Sequence, residues 1–229
     1  MAGNERLLLI DTCGVTAGMA LCEGCKVLAS ADLSERQASA EILGSLRHLL
    51  AQPGWRLTEL SAIGVVAGPG SFTGVRTGLA FAKGLSESAG LRMVSVSRLE
   101  VLADAARVVA AGDGPAPALA VLDAGRDQVY AREVSSGREW LTTVDALLGA
   151  CQSGKSVAVV EQRLADRLQG CRVLLCSLHA GDALGGVLRR LQGGGSDVED
   201  DANYLRQEAD IYRSPVEARS MATATAGLP

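Results

Sequence analysis

A glycine-rich loop is the strongest candidate for chemistry in this sequence. It runs from Gly68 to Gly74, between an apolar segment at 62–67 and a helical pattern at 75–89. Such a loop at a helix start presents backbone N–H groups that attract anions such as phosphate. However, no Lys-Ser or Lys-Thr pair follows Gly74, and the glycine spacing is one residue too long for a dinucleotide site. On these residues alone we favour a tight strand-to-helix turn, capped by Ser71 or Thr73.

Two aspartates end predicted strands at the start of each half of the chain. Asp11 follows an apolar run at 7–10, and Asp123 follows another at 120–122. Two carboxylates facing one cleft could hold a metal-bound phosphate, as a kinase requires. The alternative is that each Asp only stabilises the turn after its strand. Because strand, Asp and turn recur about half a chain apart, we expect two duplicated lobes that face one cleft.

Other catalytic constellations are weak. His48 and His179 are far apart and have no second histidine at helical spacing, so we expect no histidine-based metal site. Cys22 and Cys25 lie about a predicted hairpin turn at Glu23-Gly24, where we expect a cross-strand pair of reduced thiols. No serine or cysteine nucleophile has an evident base, which disfavours a protease.

Composition limits the function further. The 229 residues carry a formal net charge of −4 and only 3% aromatic side chains. A mildly acidic, aromatic-poor chain is a poor autonomous binder of nucleic acid. The sequence has neither a signal-peptide pattern nor an apolar run long enough for a membrane span, and its six cysteines are scattered. We therefore expect a cytoplasmic protein with reduced thiols and no contact with membranes.

The periodicity predicts an α/β fold with mixed strand directions in each half. Strands are predicted at 6–11, 15–22, 25–33, 62–67, 92–96, 118–123, 128–134, 156–160 and 172–176. Helices are predicted at 39–51, 75–89, 97–110, 143–151, 161–168 and 181–191. A linker at 111–117 divides the chain into an N-terminal lobe (1–110), a C-terminal lobe (111–213) and a flexible tail (214–229).

Small residues crowd the middle of the helix after the glycine-rich loop. Gly78, Ala80, Ala82 and Gly84 follow one another there. Each interior glycine costs about 1 kcal/mol of helix stability relative to alanine, so a close packing partner should offset that cost. The partner is either this protein's own sheet or a helix of a second chain, and the sequence leaves both open.

The stretch from Gly68 to Leu79 resembles the signature of the bacterial TsaB (YeaZ) family. Further matching pieces are Leu9-Ile10-Asp11-Thr12, Val94-Ser95-Val96-Ser97-Arg98-Leu99, Asp123-Ala124, Val129-Tyr130 and Tyr204-Leu205-Arg206. The resemblance implies an actin-like fold, of the sugar-kinase and Hsp70 type, with two ribonuclease-H-like lobes. It also implies a non-catalytic subunit in the formation of threonylcarbamoyladenosine beside the tRNA anticodon.

The resemblance implies partners as well. TsaD would bind the metal and transfer the threonylcarbamoyl group, the ATPase TsaE would dock on the pair, and tRNA would be held only indirectly. Without TsaD, the chain would pair with itself. It would have no catalytic residue, metal or cofactor of its own. The implied partner-binding residues are Glu41, Leu43, Leu46, Leu50, Val75, Gly78, Leu79 and Ala82.

A vestigial nucleotide cleft is implied too, formed by Asp11, Thr12, Gly70, Ser71, Thr73, Arg76 and Asp123. The sequence departs from the family pattern at Ala38, where relatives often have His, at Gly125-Arg126-Asp127, and at Ala202, where Pro is usual. The alternative function is a stand-alone ATP-dependent small-molecule kinase that uses Asp11 and Asp123 around Mg²⁺.

Overall fold

Two five-stranded sheets with the same strand order form the framework of the computed structural model, which describes residues 5–33, 38–113, 116–151 and 155–193. The first sheet contains β1 (Arg6–Asp11), β2 (Ala17–Glu23), β3 (Lys26–Leu33), β4 (Ala62–Val66) and β5 (Arg92–Val96), in the order β3-β2-β1-β4-β5. The second contains β6 (Leu119–Gly125), β7 (Gln128–Glu133), β8 (Glu139–Thr143), β9 (Ser156–Val159) and β10 (Arg172–Leu175), in the order β8-β7-β6-β9-β10.

The two sheets also share their pairing directions. In each, the first three strands pair antiparallel, the fourth strand pairs in parallel with the first, and the fifth pairs in parallel with the fourth. The central strand β1 has an apolar core from Leu7 to Ile10 that is fully buried, as expected of a strand covered on both faces. The predicted duplication is therefore confirmed, and the fold is actin-like with two ribonuclease-H-like lobes.

The third helix of each lobe lies on the sheet of the other lobe. The helices are α1 (Ala38–Ala51), α2 (Phe72–Ala89), α3 (Arg98–Asp113), α4 (Val144–Cys151), α5 (Gln162–Arg167) and α6 (Leu184–Gln192). Helices α1 and α2 pack on the first sheet, whereas α3 packs on β6, β7 and β9. Helix α6 returns to β5 of the first sheet, where Val187 is fully buried beside Gly64.

This exchange bears on the predicted division near residue 110. The short 3₁₀ turn Ala180–Ala183 and α6 belong to the predicted C-terminal lobe but help to cover the first sheet. A single boundary in the sequence assigns these residues to the C-terminal lobe although they pack on the first sheet. The predicted division at residue 110 therefore stays a prediction. The predicted tail at 214–229, the motif Tyr204-Leu205-Arg206 and Ala202 lie outside the described residues, as does the side chain of Ala38.

An ion-pair cluster joins the two exchanged helices. Glu100 on α3 accepts hydrogen bonds from Arg189 at 2.8 Å and from Arg190 at 2.6 Å, both on α6. Arg189 also pairs with Asp104. Burial opposes ionisation of Glu100, but the hydrogen bonds from Arg190 and Arg189 outweigh it and lower the pKa of Glu100. The cluster therefore holds α6 against α3 and helps to fix the two lobes together.

Several element boundaries differ from the sequence prediction for identifiable reasons. Helix α2 begins at Phe72 rather than 75, because the Ser71 side chain caps it by accepting from the backbone N–H of Gly74. Strand β8 was not predicted, since its half-buried residues show no clear alternation.

The hairpin loop between β2 and β3 is Gly24-Cys25, one residue later than predicted, because Glu23 pairs with Lys26. Cys25 therefore lies in the loop, and Cys22 is opposite Val27 rather than opposite Cys25.

None of the helices in the described ranges combines the length and the apolar character that crossing a bilayer requires.

Candidate functional site

A cleft of about 870 Å³ lies between the two lobes. It is bounded by the segments that follow the carboxyl ends of strands in both sheets, which is where ligands bind in α/β folds. Its polar lining residues are Thr12, Thr16, Ser71, Thr73, Thr77, Arg98, Asp123, Glu161 and Ser177. Of the residues expected in a nucleotide cleft, the structure brings together Thr12, Gly70, Ser71, Thr73 and Asp123.

The glycine-rich loop packs against the turn after β1. The backbone N–H of Ser71 donates to the Cys13 carbonyl at 2.8 Å, and the Thr12 hydroxyl donates to the Gly74 carbonyl at 2.5 Å. A Cβ atom on Gly74 would overlap the Thr12 carbonyl oxygen, and one on Gly70 would overlap that of Cys13. The tight-turn interpretation of this loop is therefore confirmed, and its glycines serve a close contact within the chain.

Helix α2 continues the same contact. Gly78 lies against the Thr12 side chain, where a Cβ atom would overlap the hydroxyl oxygen. Ala82, two positions after the exposed Ala80, is fully buried. Of the two alternatives for the small residues of this helix, the structure shows packing on the protein's own sheet at Gly78 and Ala82.

This packing bears on the expected partner surface. Six of the expected contact residues are buried within this chain: Leu46, Leu50, Val75, Gly78, Leu79 and Ala82. Leu43, another expected contact residue, is 46% exposed, and Glu41 is half-buried. The involvement of α1 and α2 in an interface stays a prediction.

Asp11 and Asp123 occupy equivalent turns. Asp11 accepts from the Cys13 N–H at 2.8 Å, and Asp123 accepts from the Gly125 N–H at 2.7 Å. Their surroundings differ, because Asp11 is only 1% exposed whereas Asp123 is exposed at the cleft. Burial raises the pKa of Asp11, and the Arg98 charge opposes that rise without reversing it. Each aspartate thus stabilises its turn, and Asp11 lies behind the cleft wall rather than in its lining.

Arg98, which sequence reasoning did not select for the site, is the first residue of α3 and faces the cleft. It is 5% exposed, and its backbone N–H donates to the Gly68 carbonyl at 2.6 Å. A side chain on Gly14 would overlap the Arg98 guanidinium, which fixes that group beside the turn after β1. Its Nε atom is buried and has no hydrogen-bond partner. A fixed positive charge here lowers the affinity of the Asp11 region for a divalent cation.

Glu161 lies on the opposite lobe and was also missed. Burial raises the pKa of Glu161, against an opposing effect of the Arg98 charge. The backbone N–H groups of Glu161 and Asp123 donate to its carboxylate, but its Oε2 atom is buried without a partner. Arg98 follows β5 and Glu161 follows β9, both parallel strands. The rule that sites gather at the carboxyl ends of such strands could have identified both residues.

The remaining sequence candidates lie apart from the cleft. The Arg76 guanidinium stacks 3.7 Å from the Phe72 ring centroid on the surface of α2. His48 is exposed, and His179 lies 4.0 Å from Asp32 at an exposed position. The two thiols of the hairpin are free, with Cys22 buried and Cys25 exposed. Within the described ranges, no group of three His, Cys, Asp or Glu side chains is placed to hold a metal ion.

Comparison with known proteins agrees with this geometry. Residues 30–159 match the family model described as "TsaD: tRNA N6-adenosine threonylcarbamoyltransferase". The chain is 37% identical over 125 residues to the tRNA threonylcarbamoyladenosine biosynthesis protein TsaB of Escherichia coli, a match that covers 55% of this chain and 53% of that protein. The TsaB protein of Haemophilus influenzae is 32% identical over 131 residues, which cover 57% of this chain and 54% of that protein. The chain thus spans about half the length of the curated relatives it matches.

A solved structure covers more of the fold. The structure described as YeaZ from Pseudomonas aeruginosa is 25% identical to this chain with a TM-score of 0.67, and the match covers 88% of this chain and all of that one. The family model spans more than half of the chain. The chain therefore belongs to the TsaB (YeaZ) family, within the wider family whose model is described as TsaD, tRNA N6-adenosine threonylcarbamoyltransferase.

Proposed function

We propose that this protein is a non-catalytic subunit of the complex that forms threonylcarbamoyladenosine in tRNA, and that it binds and activates TsaD. Family membership supports the pathway, since the relatives are named as biosynthesis proteins for this nucleoside. The match to the TsaD family model supports a shared fold with the transferase.

The observation that carries the non-catalytic role is the position of Arg98 relative to Asp11. A kinase of this layout would need the strand-end carboxylates to attract a metal-bound phosphate. Here the Arg98 charge lies beside Asp11, and Asp11 is buried with a raised pKa. The glycine-rich loop is bound to the turn after β1, because the N–H of Ser71 donates to the Cys13 carbonyl and the Gly74 carbonyl accepts from the Thr12 hydroxyl. These features favour a scaffold over the stand-alone kinase.

The surface that would meet TsaD lies on the exposed side of α1 and α2. On α2 it includes Ala80 and Gly84, and on α1 it includes Leu43 and Gly44, all of which are exposed. A Cβ atom at Gly44 or Gly84 would meet nothing within 4 Å, so a neighbouring helix could approach closely there. The same surface would pair two copies of this chain when TsaD is absent.

The other partners follow from charge and family. A net charge of −4 supports indirect contact with tRNA, through TsaD. TsaE would dock on the assembled pair and, with TsaD, would supply the ATP and metal sites. Such a complex acts where tRNA is modified, in the cytoplasm.

The experiment is co-purification with TsaD, using two matched glycine substitutions. Gly84→Leu adds a side chain to the proposed surface on α2, and Gly149→Leu adds the same side chain to an exposed, open position on α4. Both changes replace a helix-interior glycine with a better helix former, so neither should unfold the chain. We expect Gly84→Leu to abolish the complex and Gly149→Leu to leave it intact. Equal recovery of TsaD with both variants would refute the interface.

A further inference from the structure

Two buried side-chain polar atoms in the described residues lack a hydrogen-bond partner, and both belong to the cleft. They are Nε of Arg98 and Oε2 of Glu161. Buried polar groups in folded proteins are almost always paired, so an unpaired one calls for a missing partner. The two side chains have opposite charge, yet in the described part of the chain no ion pair joins them. Both side chains also line the cleft, so a molecule bound there could accept from the Arg98 guanidinium and donate to the Glu161 carboxylate.

Both groups are held in place from opposite lobes. Arg98 begins α3, and its guanidinium is confined beside Gly14, at the turn after β1 of the first sheet. Glu161 directly precedes α5, and the backbone N–H groups of Glu161 and Asp123 hold its carboxylate on the side of the second sheet. Groups fixed in this way lose little conformational entropy when a ligand binds. Binding between them would also bridge the lobes.

The charges around the cleft favour a ligand without net charge. Arg98 is the only cationic side chain that lines the cleft in the described ranges, and the acidic side chains of Asp123 and Glu161 line it too. A polyphosphate would be repelled by those carboxylates. Two amides of the glycine-rich loop are already engaged as well, because the N–H of Gly74 bonds to the Ser71 hydroxyl and the N–H of Ser71 to the Cys13 carbonyl.

We propose that the cleft binds a small zwitterion of the α-amino-acid type, with its carboxylate on Arg98 and its ammonium group on Glu161. A guanidinium matches a carboxylate through two parallel hydrogen bonds, and a carboxylate is the natural partner of an ammonium group. The volume of about 870 Å³ accommodates the ligand's own side chain beyond these two contacts. The proposal concerns this chain alone and does not depend on TsaD.

Calorimetric titration of the full-length protein tests it with defined probes. The common L-α-amino acids are added one at a time up to about 10 mM, a range that detects millimolar affinity. Acetate, methylammonium and Mg²⁺-ATP are titrated in the same way. We expect one-to-one binding of at least one amino acid, and binding of acetate and methylammonium at least about tenfold weaker, equivalent to about 1.4 kcal/mol. The proposal would be overturned if no amino acid shows saturable binding, or if Mg²⁺-ATP binds more tightly than every amino acid tested.

Two substitutions locate the site. Glu161→Gln keeps the shape and the backbone hydrogen bonds but removes the negative charge, and Arg98→Lys keeps the positive charge but removes the paired donors. Each should weaken the amino acid at least about tenfold, while the exposed Glu87→Gln on α2 should have no effect. Thermal unfolding confirms that each variant is folded. If Arg98→Lys does not fold, Glu161→Gln decides alone, and unchanged affinity in that variant contradicts the assignment.

Discussion

Thr12 and Gly74 lock the glycine-rich loop to the turn after β1. The Thr12 hydroxyl donates to the Gly74 carbonyl at 2.5 Å, and the Thr12 carbonyl lies where a Cβ atom of residue 74 would be. Since both contacts involve backbone atoms, neither side can yield without moving β1 or α2. The close contact with Thr12 therefore explains why position 74 requires glycine, and a phosphate-binding role is not needed to explain it.

Replacing Gly74 with alanine should destabilise the protein by about 1–3 kcal/mol, the usual cost of forcing extra atoms into a packed interior. Gly84→Ala is the matched control, because its Cβ atom would meet nothing within 4 Å. That change should stabilise the chain by about 0.5–1 kcal/mol through helix propensity. Urea unfolding of the three proteins measures both effects. Equal stability of Gly74→Ala and wild type would show that the loop is not locked in this way.

Removing the charge of Glu100 should loosen α6 from α3. Glu100→Gln should lose about 1–3 kcal/mol at pH 7, since hydrogen bonds to charged groups are among the stronger ones. Because the pKa of Glu100 is lowered in the folded protein, its contribution is present above the ordinary glutamate pKa. It disappears only as pH falls through the lowered value. Denaturant titrations at pH 7 and at decreasing pH should show that Glu100→Gln is less stable than wild type, and that this difference persists at pH 5. The exposed Glu87→Gln should have the stability of wild type at every pH.

The buried Asp11 should have the opposite pH dependence. Burial raises the pKa of Asp11 in the folded state, so its ionisation costs folding free energy as pH rises above the ordinary aspartate pKa of about 3.9. Asp11→Asn keeps an acceptor for the Cys13 N–H but removes this cost. The stability of the variant relative to wild type should therefore increase as pH rises from about 4 to the raised pKa, and then level off. A relative stability that falls over this range would contradict the account.

The sequence predicted most of the fold because its signals are local. The continuous apolar run of β1 and the Ser71 cap identify elements regardless of what packs on them. Strand β8 was missed because its side chains are all half-buried, which leaves no periodic contrast to detect. The exchange of α3 and α6 between lobes depends on contacts between residues about 90 positions apart, such as Glu100 and Arg190.

The candidate site was only partly predictable for the same reason. Thr12, Ser71 and Asp123 lie at turns that the sequence marks, and they do reach the cleft. Arg98 and Glu161 were missed because no local pattern distinguishes a buried charge from a solvated one at a helix start, and only their positions after parallel strands could have identified them. Gly78 left two alternatives open, and only the position of Thr12 on the neighbouring strand end decides between them.

The most direct measurement of the central claim is mass spectrometry of threonylcarbamoyladenosine in tRNA from a bacterial strain depleted of its own TsaB. Supplying this chain should restore the modified nucleoside, and restoration should require TsaD in the same cells. The Gly84→Leu variant should fail where Gly149→Leu succeeds. A chain that accumulates in folded form without restoring the modification, or that restores it after TsaD is depleted, would contradict a role as the partner-binding, non-catalytic subunit.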